Sequence, residues 1–207
     1  MRLFLASEAK HPDSIKKLEE YLGGFKDKSI AYIPTAANGE RWESWKDGGS
    51  WSLLNSLDIK LEKILLEDYG NDSVIEKIAN KDVVWFAGGM VGYLLYWMKR
   101  CSLDNAMADI LKKTVYVGSS AGAMVLCPNS TEIATWSFVD NELGANEISP
   151  LKVVDFDIYP HYEESLYEKI KENYNGKKLY LLKNGEEIIV ENGRVTVIGE
   201  ERIISNT

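Results

Sequence analysis

Short apolar runs alternate with longer amphipathic segments along the first two thirds of the chain. The apolar runs predict strands over residues 3–6, 29–33, 61–66, 82–86 and 114–117. The segments between them space apolar residues at helical intervals and predict helices over residues 15–22, 40–57, 74–79, 91–99 and 103–112. Strands that alternate with helices form a mostly parallel sheet with helices on both faces. The pattern therefore predicts an α/β fold.

The pattern changes after Pro128. Residues 153–159 are predicted to form a strand, and residues 163–174 a charged helix. The last apolar runs cover residues 179–182, 188–190, 195–198 and 202–204, with Asn184-Gly185, Asn192-Gly193 and Gly199-Glu200 between them. Because Asn-Gly pairs favour tight hairpin turns, we expect C-terminal antiparallel hairpins. With no repeat or linker in the sequence, one domain is expected over residues 1–207.

Composition and charge narrow the class of protein. Apolar residues make up 45% of the chain and charged residues 27%, which is typical of a soluble globular protein. The net charge of −8 argues against binding to nucleic acid or to an anionic membrane. Cys101 and Cys127 fit reduced thiols, and the sequence has neither a secretion signal nor a run of membrane-spanning length. We therefore expect a cytoplasmic location.

The run Gly118-Ser119-Ser120-Ala121-Gly122 stands between a predicted strand and a short apolar segment that can begin a helix. Strand, Gly-x-Ser-x-Gly and helix together are typical of a nucleophile elbow. In such a turn the serine has a strained backbone, and small neighbours prevent steric clashes. The first N–H groups of the helix then point toward any anion that forms beside the serine.

A serine nucleophile needs a base, and the chain has two histidines. His161 follows Tyr159-Pro160, where a predicted strand gives way to a helix, and we interpret it as the candidate general base. His11 precedes a helix start and is interpreted as a surface loop residue.

A second glycine-containing loop, Ala87-Gly88-Gly89, also follows a strand and precedes a helix. It lacks the Gly-x-Gly-x-x-Gly and Lys-Ser/Thr signatures of nucleotide-binding loops. Paired glycines let the backbone approach a reacting carbonyl and present an N–H group. The N–H groups of Gly89 and Ala121 are therefore the predicted donors of a two-donor oxyanion hole.

Three motifs together resemble the peptidase E (dipeptidase E, aspartyl dipeptidase) family, with cyanophycinase as a more distant relative. They are Ala87-Gly88-Gly89, residues 117–123 around the elbow, and residues 156–162 around His161. The resemblance covers most of the chain. It implies a flavodoxin-like three-layer α/β/α fold similar to class I glutamine amidotransferases. It also implies Ser120 as nucleophile, His161 as general base, and Gly89 and Ala121 as oxyanion donors.

The sequence departs from the family pattern at two places. Met90 stands where the family usually has Asn after the glycine pair, and Asn184 stands where it often has an acid before a glycine. Asparagine can orient an imidazole through its carbonyl oxygen but adds no negative charge. Asn184 is therefore one candidate for the third triad member. The position about fifteen residues past the serine, acidic in other members, is Thr135. The remaining candidates are Glu132, Asp140, Asp155, Asp157, Glu186 and Glu187.

The function predicted from these features is a serine-type peptidase that hydrolyses short peptides. No arginine stands beside these motifs, so a preference for Asp-X dipeptides is not inferred. An esterase or acyl transferase that uses the same serine, and a catalytically silent relative that binds a ligand or a partner, are the alternatives. We expect neither a metal nor an organic cofactor. The expected partner is a short peptide substrate, and a homodimer is also compatible with the sequence.

Overall fold

A computed structural model describes residues 1–206, and of Glu142 it describes the backbone only. The strands are β1 Arg2–Ala6, β2 Ser29–Ile33, β3 Lys60–Lys63, β4 Val83–Phe86, β5 Val115–Ser119, β6 Asp157–Tyr159, β7 Lys178–Leu181, β8 Glu187–Glu191, β9 Arg194–Ile198 and β10 Ile203–Ser205. The α-helices are α1 Pro12–Leu22, α2 Thr35–Asn38, α3 Gly49–Ser56, α4 Ile75–Ala79, α5 Val91–Arg100, α6 Leu103–Ile110, α7 Ala121–Met124, α8 Ser130–Phe138 and α9 Tyr167–Asn173. Short 3₁₀ turns lie at Ser44–Lys46, Leu66–Asp68, Asp72–Val74, Glu142–Glu147 and Glu164–Leu166.

The larger sheet has the strand order β3-β2-β4-β5-β1-β8-β9. The pairs β3/β2, β2/β4, β4/β5 and β5/β1 are parallel, and β8 and β9 add an antiparallel edge. The predicted α/β class with a mostly parallel sheet is confirmed. The carboxyl ends of β4, β5 and β1 meet at one edge, so the loops that follow these strands are brought together there.

Alternate residues of each central strand pack on opposite faces of the sheet. In β1, Leu3 and Leu5 belong to one buried apolar cluster, whereas Phe4 and Ala6 belong to another. This alternation of buried residues on both faces explains why the strand reads as a continuous apolar run. The edge at which the carboxyl ends of β4, β5 and β1 meet therefore belongs to a sheet that is packed on both faces.

The C-terminal turns differ in part from the prediction. Asn192-Gly193 joins β8 to β9 in an antiparallel hairpin, as expected, and both residues have positive φ. Asn184-Gly185 does not join a hairpin, because β7 pairs with β6 and β10 in a smaller sheet while β8 pairs with β1 and β9. Gly199-Glu200 likewise separates strands of different sheets. An Asn-Gly pair specifies a tight turn, but it does not specify which strands pair beyond it.

Several predicted elements are shorter than their patterns suggested. The strand predicted over residues 61–66 ends at Lys63, and the helix predicted over residues 163–174 is α-helical only over Tyr167–Asn173. The helix predicted over residues 40–57 is restricted to Gly49–Ser56, because Gly48 is extended and separates it from the 3₁₀ turn Ser44–Lys46. The strand predicted over residues 153–159 forms only at Asp157–Tyr159.

Within residues 1–206, no helix has both the length and the apolar character required to cross a membrane.

Glu187, the first residue of β8, gives a prediction for the pH dependence of stability. Its side chain is fully buried and accepts a 2.7 Å hydrogen bond from Ser14 Oγ. Burial raises the pKa of Glu187 to about 7, and the bond from Ser14 offsets this only in part. Because the folded state holds the proton more tightly than the unfolded chain, the contribution of Glu187 to the free energy of unfolding is fully present below its ordinary pKa and is lost as pH rises to 7 and above.

We therefore expect Glu187→Gln to remove this loss. Relative to wild type, the free energy of unfolding of the variant should improve by roughly 2–3 kcal/mol between pH 5 and pH 8. Urea unfolding at several pH values measures this difference. A difference between the two proteins that does not change with pH would contradict the assignment.

Candidate active site

Ser120 lies at the apex of the turn between β5 and α7, with φ 49° and ψ −113°. A positive φ in a residue with a side chain is strained and persists only where its surroundings hold it. One such contact comes from β1, because the Ser120 N–H donates to the Ala6 carbonyl at 3.0 Å. The turn between β5 and α7 is therefore strained at Ser120, which lies at the carboxyl end of the sheet.

Close backbone contacts explain both glycines of the elbow. A Cβ on Gly118 would lie 2.5 Å from the Gly122 carbonyl oxygen. A Cβ on Gly122 would lie 2.3 Å from the carbonyl oxygen of Phe86, the last residue of β4. The Phe86 backbone belongs to the central strand β4, and the Gly122 backbone belongs to α7, so neither is the flexible end of a side chain. The start of α7 is therefore pressed against the end of β4.

Two buried hydroxyl groups fasten the same turn. Ser119 Oγ accepts a 3.0 Å hydrogen bond from the Ala9 N–H, and Tyr116 Oη donates a 2.6 Å bond to the Gly122 carbonyl. Complete burial raises the pKa of Tyr116 well above its ordinary value, so its hydroxyl remains a donor. Ser119 therefore faces inward, whereas Ser120 is the partly exposed serine of the pair.

The structure brings Ser120, His161 and Asn184 together. His161 Nε2 lies 3.0 Å from Ser120 Oγ, and His161 Nδ1 lies 2.7 Å from Asn184 Oδ1. For Nε2 to accept the serine proton, Nδ1 must carry the ring hydrogen, and the amide oxygen of Asn184 is the acceptor that this tautomer requires. The order is that of a nucleophile, a base and an orienting group.

The position of His161 is set by strand β6 and by a positive φ angle at His161 itself. It follows Pro160 directly after β6, and its φ is 55°. The next residue, Tyr162, donates its N–H to the Leu182 carbonyl at 3.0 Å, which ties this segment to the one that carries Asn184.

Gly88 and Gly89 lie between β4 and α5, beside the elbow. A Cβ on Gly88 would lie 3.2 Å from Ser120 Cβ, so the loop contacts Ser120 directly. Gly89 has φ 133°, and a Cβ there would lie 2.2 Å from the Ala36 carbonyl oxygen. Gly89 and Ala121 line the same cavity as Ser120, and Ala121 begins α7, where N–H groups have no partner within the helix.

A polar cluster of Glu67, Thr35 and Asn38, which the sequence analysis did not identify, supports the Gly88–Gly89 loop through α2. Glu67 accepts hydrogen bonds from Thr35 Oγ1 at 2.7 Å and from Asn38 Nδ2 at 2.8 Å. These two residues bound α2, whose Ala36 carbonyl accepts the Met90 N–H at 2.9 Å. The residues lie 29–32 positions apart in the chain, and no local pattern links them.

The candidate site opens into a cavity of about 440 Å³. Aromatic side chains of Tyr32, Trp45 and Phe138 form part of its lining. Lys10 also lines it and pairs with Glu8 at 3.3 Å, an ion pair that the sequence analysis missed. Among the described residues, no arginine lines this cavity.

Three of the acids considered as the third triad member bind other groups. Asp157 is buried and accepts hydrogen bonds from Asn129 and Tyr174. Glu186 pairs with Arg202 at 2.7 Å, and Glu187 accepts from Ser14.

The other three acids considered as the third triad member are Asp140, Glu132 and Asp155. Asp140 accepts the Gly92 N–H at 3.0 Å at the start of α5 and lines the cavity, while Glu132 and Asp155 are exposed. Among the described residues, Asn184 is the candidate whose side chain contacts the His161 ring.

His11 caps α1 rather than reaching Ser120. Its Nδ1 accepts the Asp13 N–H at 3.3 Å, and its ring packs over Gly185. Within the described part of the chain, no group of His, Cys, Asp and Glu side chains is arranged to hold a metal ion.

Comparisons with known proteins agree on one family. The model of peptidase family S51 matches residues 3–198. An uncharacterized peptidase of Listeria monocytogenes, Lmo0363, is 28% identical over 199 residues, covering 93% of this chain and 96% of that protein. Peptidase E of Nostoc sp. PCC 7120 is 26% identical over 188 residues, covering 89% of this chain and 70% of that protein.

Solved structures show the same relationship. A candidate peptidase E protein from Listeria monocytogenes EGD-e has a TM-score of 0.78 at 27% identity, covering 95% of this chain and 97% of that chain. A peptidase from an acI-B1 Actinobacterium has a TM-score of 0.67 at 18% identity, covering 99% and 93%, and shares the fold.

The contact between Gly122 and Phe86 gives a stability prediction. Alanine in place of glycine normally favours a helix by about 1 kcal/mol. We expect Gly122→Ala to do the opposite and to lower the free energy of unfolding by roughly 2 kcal/mol or more, because the added Cβ meets the β4 backbone. Urea unfolding measures the change.

Gly49→Ala is the matched control, because Gly49, like Gly122, lies in the first turn of a helix. A Cβ there would lie 3.0 Å from the flexible Lys10 side chain rather than from backbone. Its effect should stay within about 1 kcal/mol. Equal stability of the Gly122→Ala variant and wild type would contradict the account of the elbow.

Proposed function

Because the chain belongs to peptidase family S51, the peptidase E family, we propose that it is a serine-type peptidase that hydrolyses short peptides through an acyl-enzyme on Ser120. The observation that carries the proposal is the continuous contact from Ser120 Oγ through the His161 ring to Asn184 Oδ1. Ser120 lies at a strained turn, and Ser120 and His161 line a cavity.

The first half of the reaction forms the acyl-enzyme. His161 Nε2 takes the proton of Ser120 as Oγ attacks the scissile carbonyl. The imidazolium then gives that proton to the departing amine, which leaves as the peptide C–N bond breaks. The 3.0 Å separation of Nε2 and Oγ is within the range needed for direct proton transfer.

The tetrahedral intermediate carries its negative charge on the former carbonyl oxygen. In the proposed mechanism, the N–H groups of Gly89 and Ala121 donate hydrogen bonds to this oxygen. Removal of one donor of this kind typically costs about 3–4 kcal/mol of transition-state stabilisation. The Glu67 cluster contributes indirectly, because it fixes the Ala36 carbonyl against which Gly89 packs.

The second half hydrolyses the acyl-enzyme. Water enters the site vacated by the amine, His161 removes its proton, and the resulting hydroxide attacks the ester carbon. The ester bond breaks, and His161 returns the proton to Ser120 Oγ.

Asn184 supports this cycle without a negative charge. Its carbonyl oxygen holds the Nδ1–H of His161 and therefore fixes both the ring orientation and the tautomer. The imidazolium is stabilised by the amide dipole instead of by a carboxylate.

The cavity supports short peptides as substrates. A volume of about 440 Å³ is sufficient for a small number of residues and is bounded by the loops around Ser120. Lys10, a cation in this lining, is already paired with Glu8. No preference for an acidic first residue is therefore proposed.

The direct test is hydrolysis of dipeptides that differ in their first residue, followed by product analysis. We expect turnover by wild type, and a loss of about 10⁴-fold or more in Ser120→Ala. Ser119→Ala is the matched control, because its hydroxyl is buried and binds the Ala9 N–H instead of His161, and it should lose far less activity. Equal rates for Ser120→Ala and wild type would contradict the proposal. Cleavage of the corresponding esters but not of the peptides would assign the site to an esterase.

The role of Asn184 is tested separately. We expect Asn184→Ala to lower kcat by roughly 10- to 100-fold with little change in KM, because the ring loses its orienting acceptor. Asn184→Asp should retain at least wild-type kcat, since a carboxylate accepts the same hydrogen bond. Steady-state kinetics measure both. An unchanged kcat in Asn184→Ala would rule out Asn184 as the orienting group.

A further inference from the structure

Ser7 follows the last residue of β1 and lies beneath the candidate triad. Its side chain is fully buried. Its N–H donates to the Glu186 carbonyl at 3.0 Å, which continues the antiparallel pairing of β1 with β8 by one residue. The sequence analysis assigned no role to this serine.

The Ser7 hydroxyl contacts two of the three residues of the triad. Ser7 Oγ accepts the backbone N–H of His161 at 2.7 Å. The same hydroxyl donates to Asn184 Oδ1 at 3.2 Å. Asn184 Oδ1 is therefore shared by two donors, the Ser7 hydroxyl and the His161 ring.

The hydrogen bond from Ser7 selects one of the two possible orientations of the Asn184 amide. A carboxylate presents two equivalent oxygens, but a carboxamide presents one oxygen and one NH₂ group. Only one of the two amide orientations can accept the Nδ1–H of His161. If the amide turned over, its NH₂ group would face both Nδ1–H and Ser7 Oγ. The buried Ser7 hydroxyl would then lose the acceptor for its proton.

The bond to the His161 backbone serves the same geometry. His161 has φ 55°, a conformation that the surrounding structure must hold. Ser7 Oγ binds the N–H of that residue. One hydroxyl therefore restrains both the backbone of the base and the side chain that orients its ring.

We propose that Ser7 is a positioning residue that makes Asn184 effective as a neutral third member, by fixing its amide oxygen toward His161 Nδ1. The inference rests on the proposed serine mechanism. It assigns Ser7 no contact with the substrate. Its effect passes through Asn184 and His161.

The test uses the rate of covalent labelling by a fluorophosphonate, which reports the reactivity of Ser120 without a known substrate. We expect Ser7→Ala to slow labelling by roughly 10- to 100-fold. In the Asn184→Asp background, the penalty of Ser7→Ala should shrink several-fold, because a carboxylate needs no selection between its oxygens. A merely structural contribution of Ser7 would give the same penalty in both backgrounds.

Ser14→Ala is the matched control, because Ser14 is a fully buried serine whose hydroxyl binds Glu187 away from the triad. It should label at the wild-type rate. Ser7→Cys keeps the branching of the side chain and replaces the hydroxyl by a larger thiol that is a weak donor and acceptor, so it gives the same test if the alanine variant does not fold. It should also label slowly.

Two results would overturn the role of Ser7. One is labelling of Ser7→Ala and Ser7→Cys at the rate of Ser14→Ala, and the other is an equal penalty in both Asn184 backgrounds. Failure of wild type itself to label would instead remove the serine mechanism on which the inference rests. The two failures are therefore distinguishable.

Discussion

The candidate site depends on the close approach of α7 to the end of β4. Gly122 packs against the Phe86 carbonyl so tightly that a single Cβ would lie 2.3 Å from the oxygen. The chain can leave β5 and enter α7 at this distance only through a sharp turn, and Ser120 takes its positive φ there. Because Phe86 is also followed by Ala87-Gly88-Gly89, the same contact sets the glycine loop beside the serine. One steric constraint thus fixes Ser120 and the backbone groups around it.

The strand order supplies the other parts of the site. β5 lies between β4 and β1, so the segment after β1 reaches the elbow from the side opposite the glycine loop. The Ala6 carbonyl holds the Ser120 N–H, and Ser7 contacts both His161 and Asn184. His161 and Asn184 come from the ends of β6 and β7, in the smaller sheet. The packing of the two sheets therefore brings Ser120, which follows a strand of the larger sheet, into contact with His161 beside the smaller one.

The parts of the candidate site that a sequence can specify locally are those encoded by consecutive residues. The elbow and the Gly88-Gly89 loop need small residues at fixed positions next to a strand, and both are visible in a short window. The contacts that support the candidate site join residues that are distant in the sequence. Ser7 lies 154 residues from His161 and 177 from Asn184, so no local pattern identifies it. The Asn184-Gly185 pair was interpreted as a hairpin turn because its sequence defines a turn, while the pairing partner of each flanking strand depends on tertiary structure. Gly48 interrupted a helix whose apolar spacing alone favoured continuity.

The central claim is that His161 activates Ser120. The most direct measurement is the intact mass of the protein after reaction with a fluorophosphonate, for wild type, Ser120→Ala and His161→Ala. The account predicts a single adduct on wild type and none on either variant under the same conditions. No adduct on folded wild type, or an adduct that persists in Ser120→Ala, would contradict it.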